Sequence, residues 1–148
     1  MKVMEVKATE WLERARPLFE ESWRENMAPK GMPPPDVDMR VFQALEDASM
    51  LVALVALTNS DEIVGYTISI IVPMFMYGNH VVMNNESIFV RKDYRGTVPL
   101  KLIRATVQAA KARGASKMLW HSMPGTKAEE LWPRLGYETF DTVWTKEI

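Results

Sequence analysis

The chain contains no cysteine among its 148 residues. That absence excludes a disulfide framework, thiolate metal sites and a cysteine nucleophile. Histidine is almost as scarce: His80 and His121 lie too far apart in sequence to form a His-based metal motif at helical spacing, so no metal is expected. Long apolar runs are missing too. Met50–Leu57 and Ile70–Tyr77, the latter broken by Pro73, fall well short of the ~20 residues a membrane-crossing helix needs. The opening MKVMEVKATEW has neither the apolar stretch nor the small-residue cleavage site of a secretory leader. These absences give the expectation of a cytoplasmic protein without a membrane partner. Apolar residues at 47% and charged residues at 25% exclude a disordered or collagen-like chain, and the length suits one domain over residues 1–148.

A net charge of −1 argues for neither nucleic acid nor membrane, but it conceals a segregation. Residues 1–50 carry 7 Lys and Arg against 10 Asp and Glu, whereas residues 91–134 carry 10 against 3. The second segment suggests an anionic partner, or simply a solvated basic helix face. Within residues 91–117 aromatic interleaving is limited to Tyr94, so base stacking and a nucleic-acid partner are not expected.

Hydrophobic spacing predicts a helix capped by Thr9 and running to about Asn26, with Trp11, Leu12, Ala15, Leu18, Phe19 and Trp23 on one face and a kink or break near Arg16, ahead of Pro17. Met27–Pro35 is too rich in proline for helix or strand. Asp36 suits the cap of a second helix burying Val37, Val41, Ala44, Leu45 and Ala48. Met50–Leu57 and Ile63–Val72 read as strands around the turn Thr58–Glu62. After a Met74–His80 loop, Val81–Val90 is a third strand, where Asn84-Asn85 suits a bulge better than a regular ladder. A helix from about Thr97 to Arg113, closed by Gly114, precedes a short strand Ser116–His121, a helix Lys127–Leu135 and a final strand Tyr137–Thr145. The order α-α-β-β-β-α-β-α-β implies an α/β (α+β) fold. Its sheet is mixed, mostly antiparallel and twisted, with helices on both faces and one parallel pair flanking the Thr97–Arg113 helix.

Chemistry concentrates in NESIFVRKDYRGTVPLKLIRA, residues 85–105, where an apolar strand enters a basic, glycine-containing turn that opens a helix. Free N–H groups and the dipole at such a helix start attract anions, and Arg95 adds a charge-assisted donor. Together they read as a phosphate-binding strand–turn–helix.

The phrase FVRKDYRGTVPLKL resembles the coenzyme A motif of the GNAT (Gcn5-related) N-acetyltransferases, and the tail KAEELWPRLGYETF is similar to that family's closing helix and Gly-aromatic turn. The resemblance implies a GNAT-like fold with acetyl-CoA lying where two central parallel strands splay. On this basis Phe89 and Val90 would face the pantetheine arm and acetyl group. Arg95, Gly96, Thr97, Val98 and Leu100 would surround the pyrophosphate, with Lys101 nearby. Two later positions of the motif, usually small, are Val98 and Leu100 here, where a side chain would crowd the phosphates unless the turn bends differently. Counted from Ala128, the positions that often carry asparagine and a proton-donating tyrosine are Gly125 and Trp132. An indole N–H is a donor with no proton to release at neutral pH.

Amine acetylation needs a base, because a lysine-like amine is mostly protonated at pH 7. Glu86 is the only acid between Glu62 and Asp93 and resembles the family's strand glutamate. It stands four residues before Val90, so alternation puts both on one face unless a bulge intervenes; a partner for Arg91 is its other reading. His121, at the end of the splaying strand, can relay protons or serve structure alone. Tyr94 and Tyr137 carry phenols able to donate, though such tyrosines more often serve packing. Met74, Phe75, Met76 and Tyr77 fit either an acceptor pocket or a homodimer contact, and by the resemblance the 27–35 loop borders the acceptor. The expected function is direct, acetyl-CoA-dependent transfer to an amine of a small molecule or protein. The alternative is a module that binds coenzyme A or a nucleotide without transfer.

Overall fold

A computed structural model describes residues 1–148. One five-stranded sheet has the order β1-β2-β3-β4-β5: Lys2–Val6, Leu51–Leu57, Ile63–Pro73, Val81–Val90 and Lys117–Leu119. The first four pair antiparallel and β4–β5 is parallel, as the sequence order predicts. The helices are α1 Ala8–Ser22, α2 Met39–Asp47, α3 Val98–Ala112 and α4 Lys127–Arg134. None is long and apolar enough to cross a membrane.

The sheet separates two apolar clusters. On one face Leu54, Val64, Met83 and Val90 meet Val98 and Leu102 of α3. On the other, Val55, Tyr66 and Phe89 meet Ala15 and Leu18 of α1. β2 therefore reads LVALVAL without polar alternation, because both its faces are covered.

Several expectations are corrected. β1 was not anticipated: Lys2 and Glu5 interrupt its apolar residues, yet Val3↔Ala56 and Val6↔Ala53 place it at the sheet edge. α1 starts ahead of Thr9, whose N–H and hydroxyl both donate to Glu46 of α2 at 2.8 Å. It runs unbroken through Pro17, held by Leu12, Ala15 and Leu18 against the sheet, and continues into a π-turn at Trp23–Met27. α2 is capped by Asp38, which accepts from the Arg40 N–H, rather than by Asp36. Val41 and Ala44 face solvent while Phe42 and Leu45 are half-buried, so its apolar face is rotated from the expected one. β5 shortens to three residues, and Tyr137–Thr145 forms no strand. Alternation needs a ladder, and no backbone hydrogen bond joins that segment to β5, although the Lys117 ammonium lies over the Phe140 ring.

Candidate functional site

The parallel pair splays. β4 and β5 are in register only at Val82↔Lys117, Met83↔Met118 and Asn84↔Leu119. Beyond Asn84, β4 has no neighbour on that side. The Arg91 N–H donates to Val64 of β3 at 2.9 Å, so by antiparallel alternation the N–H and C=O of Val90 point away from β3, into the gap.

A bulge lies where the gap opens. Ile68 pairs with Ser87 and Ser69 with Asn85, leaving Glu86 without a partner on β3. The buried Asn85 amide fixes this geometry by donating to Ile68 O, Ser69 Oγ and Ser87 O, each at 3.1 Å. The bulge falls at Glu86, one residue beyond the Asn84-Asn85 pair where the sequence suggests it, and it overturns the simple parity of Glu86 with Val90. Val90 packs on the α3 face, whereas the Asn84 amide donates to Glu86 Oε1 at 2.6 Å. His121 Nε2 is 2.7 Å from Asn84 Oδ1. With the Asn84 nitrogen given to a carboxylate, its oxygen accepts, so His121 carries its proton on Nε2. The two predicted residues are thus bridged by a third, Asn84, that sequence reading used only as a bulge signal. Glu86 is not a partner for Arg91, which pairs instead with Glu21 at 2.9 Å and with Glu62.

The turn after β4 leads into α3 through Gly96 and Thr97. The N–H groups of Gly96, Thr97, Val98 and Leu100 have no acceptor within the chain, and Pro99 has no N–H to satisfy. Val98 is buried in the α3 cluster, so it does not crowd the open side of the turn. A Cβ on Gly96 would meet nothing within 4 Å. Lys101 and Arg104, in the first two turns of α3, are exposed and without ion pairs.

Arg95 is turned toward α1. Its guanidinium grips Glu25 at 2.7 and 2.6 Å, and its Nε donates to Val90 O at 2.7 Å. The hydrogen bond from Arg95 holds the Glu25 carboxyl below the usual carboxylate range. Part of the basic segment is therefore answered internally by the acidic first third: Arg91 by Glu21, Arg95 by Glu25 and Arg113 by Glu5. The Phe89 and Val90 side chains both go to the core, so β4 offers the gap its peptide groups rather than those side chains.

On the α1 face, beside the bulge, lies a groove of about 280 Å³ lined by Trp23, Met27, Met32, Phe42, Tyr66 and Ile68 among others. The Trp23 indole donates to Met32 O at 2.9 Å, tying the proline-rich loop to the π-turn. Tyr66 OH and Ser87 Oγ are 3.1 Å apart, and burial pushes the Tyr66 phenol up from its ordinary value. Phe75, Met76 and Tyr77 line no part of this groove; they stand exposed at the β3–β4 hairpin tip. Trp132 stacks on Trp120 with ring centres 5.0 Å apart and Tyr137 against their edge, and both indole N–H groups are buried without partners.

Comparison with known proteins places this geometry. The model of a family described as "Acetyltransferase (GNAT) family" matches residues 10–137. No curated protein sequence matches the chain significantly. Among solved structures, a point mutant of the BH1408 protein from Bacillus halodurans superposes with a TM-score of 0.81 at 15% identity, covering 100% of this chain and 99% of that one. A ribosomal-protein-alanine N-acetyltransferase from Brucella melitensis biovar Abortus 2308 gives 0.73 at 16% identity, with 100% of both chains covered. The aminoglycoside N-acetyltransferase AAC(6')-Iy in complex with CoA gives 0.76 at 20% identity, covering 99% and 93%. At these identities the structures speak for the fold.

Proposed function

From the premise that this chain belongs to the acetyltransferase (GNAT) family, we propose that residues 1–148 form one domain that moves an acetyl group from acetyl-CoA directly to an amine. The observation that carries the reading is the set of four unpartnered amides at Gly96, Thr97, Val98 and Leu100, opening onto the gap beyond Asn84. Their number and the helix dipole suit a diphosphate, with Lys101 and Arg104 adding charge at the same end of α3. The outward N–H of Val90, whose carbonyl already accepts from Arg95 Nε, suits the amide-bearing pantetheine arm, which lies against a strand edge as a further strand would.

The chemistry follows from what the bulge assembles. The amine nitrogen attacks the thioester carbonyl, the C–N bond forms, the C–S bond breaks and coenzyme A leaves. Glu86 takes the ammonium proton, oriented by the Asn84 amide, and Asn84 links it to His121 at the surface. With no cysteine in the chain, an acyl-cysteine intermediate is excluded. Trp132 supplies packing where a phenol is usual, so the departing thiolate takes its proton from another donor.

The second reading, a module that holds coenzyme A without transfer, draws on that tryptophan and on the occupied guanidinium of Arg95. Titration calorimetry with coenzyme A, followed by thiol release in the presence of an amine panel, separates the two. Binding with amine-dependent thiol release is expected. Binding without release favours the module, and no binding at millimolar coenzyme overturns both.

A further inference from the structure

We propose that the acceptor is a primary amine carrying a single uncharged, apolar side group of about the size of one aromatic ring system, seated in the groove beside Ser87. The inference rests on the acetyl-transfer reading above and names the substrate class for that site.

The groove is placed for this. Ile68 and Ser87 are register partners on its floor, and the next pair on the same face, Ile70 and Asn84, carries the amide that holds Glu86. A side group in the groove therefore leaves its amine at the bulge. None of the twelve lining residues is charged; the polar atoms come from Ser22, Ser87 and the Tyr66 hydroxyl, itself bonded to Ser87. Of the acids near the groove, Glu25 is held by Arg95 and Glu21 by Arg91, while Asp36, between the lining residues Pro35 and Val37, is exposed and makes no ion pair. A second ammonium on the acceptor would be desolvated against an uncharged lining, a cost that aromatic faces at Trp23 and Tyr66 offset only in part.

Size points the same way. A cavity of roughly 150 Å³ admits benzene, so about 280 Å³ takes a ring with a short linker. The walls are fixed in advance, since the Trp23–Met32 hydrogen bond holds the proline-rich loop in position without ligand.

The test compares kcat/KM for 2-phenylethylamine, spermidine and kanamycin with acetyl-CoA, in the full chain and in Phe42→Asp and Phe42→Leu. Phe42 is half-buried on α2, so both variants should fold. 2-Phenylethylamine should exceed both polycations by about tenfold or more. Phe42→Asp should cut its kcat/KM about tenfold and raise that of spermidine, while Phe42→Leu keeps the wild-type order. The uncharged probe 2-phenylethanol should shift the NMR signal of the Trp23 indole N–H. Preference for spermidine or kanamycin overturns the acceptor class and leaves acetyl transfer standing. Coenzyme binding with no amine acetylated overturns acetyl transfer and this class with it. An unshifted Trp23 signal overturns the groove as the seat.

Discussion

Arg95 and Glu25 form a two-pronged ion pair, Nη1 to Oε1 at 2.7 Å and Nη2 to Oε2 at 2.6 Å, while Arg95 Nε holds the Val90 carbonyl. One guanidinium thus ties the π-turn bordering the groove to the strand edge facing the gap. A coenzyme diphosphate at the start of α3 would compete with Glu25 for it. Glu25→Gln should therefore tighten coenzyme A binding, by up to about fivefold, because an ion pair this exposed contributes roughly 0.2–1 kcal/mol. Arg95→Ala should weaken binding. Calorimetry on the two variants decides; equal affinity in Glu25→Gln and wild type removes the competition.

The same pair sets a pH dependence. Hydrogen bonding to Arg95 lowers the Glu25 pKa in the folded chain, so its contribution to stability is complete above the unfolded value and fades as pH falls through the folded one. Urea unfolding of wild type and Glu25→Gln between about pH 3 and 7 should show a constant difference above about pH 4.5 that shrinks on acidification. A difference that instead grew toward acid would contradict the assignment.

Legibility in the sequence followed locality. β2, β3, β4 and α3 were readable because their burial imposes a period or an uninterrupted apolar run, as in Leu51–Leu57. β1 and the Tyr137–Thr145 segment were misread in opposite directions, since edge pairing depends on a distant neighbour: Val3 finds Ala56, and the tail finds none. Gly96, Glu86 and His121 stood out by residue type alone. What joins them did not. Asn84 bridging Glu86 to His121, and Arg95 turning to Glu25, are contacts between segments 37 and 70 residues apart that no local pattern encodes.

Asn84 is read as a positioning residue, and its substitution tests the bridge. Asn84→Ala should lower kcat by about tenfold to a hundredfold, leave coenzyme affinity unchanged and alter the pH profile of kcat, because Glu86 loses its donor and His121 its acceptor. Glu86→Gln should lower the rate at neutral pH at least as far. A fall in Asn84→Ala with the wild-type pH profile would mark a merely structural role. Asn85→Ala, by contrast, removes the donor to the buried Ser69 Oγ and to the part-buried carbonyls of Ile68 and Ser87, and should cost about 1–3 kcal/mol in chemical denaturation.

Two glycines separate packing from ligand approach. A Cβ on Gly65 would lie 3.0 Å from Phe89 O, 3.0 Å from Val90 Cγ2 and 3.1 Å from Leu102 Cδ1, so β4 must shift to admit it. Gly65→Ala should destabilise by about 1–3 kcal/mol and, by displacing the Val90 peptide from the gap, weaken coenzyme A binding as well. At Gly96 the added Cβ meets nothing. Gly96→Ala should unfold within about 0.5 kcal/mol of wild type, since surface substitutions away from packing rarely do more, yet bind coenzyme A more weakly, because only a ligand close to that backbone would feel the methyl. Denaturation and calorimetry on both variants give a two-by-two outcome. If Gly96→Ala binds as wild type does, the turn ahead of α3 is not where the diphosphate rests.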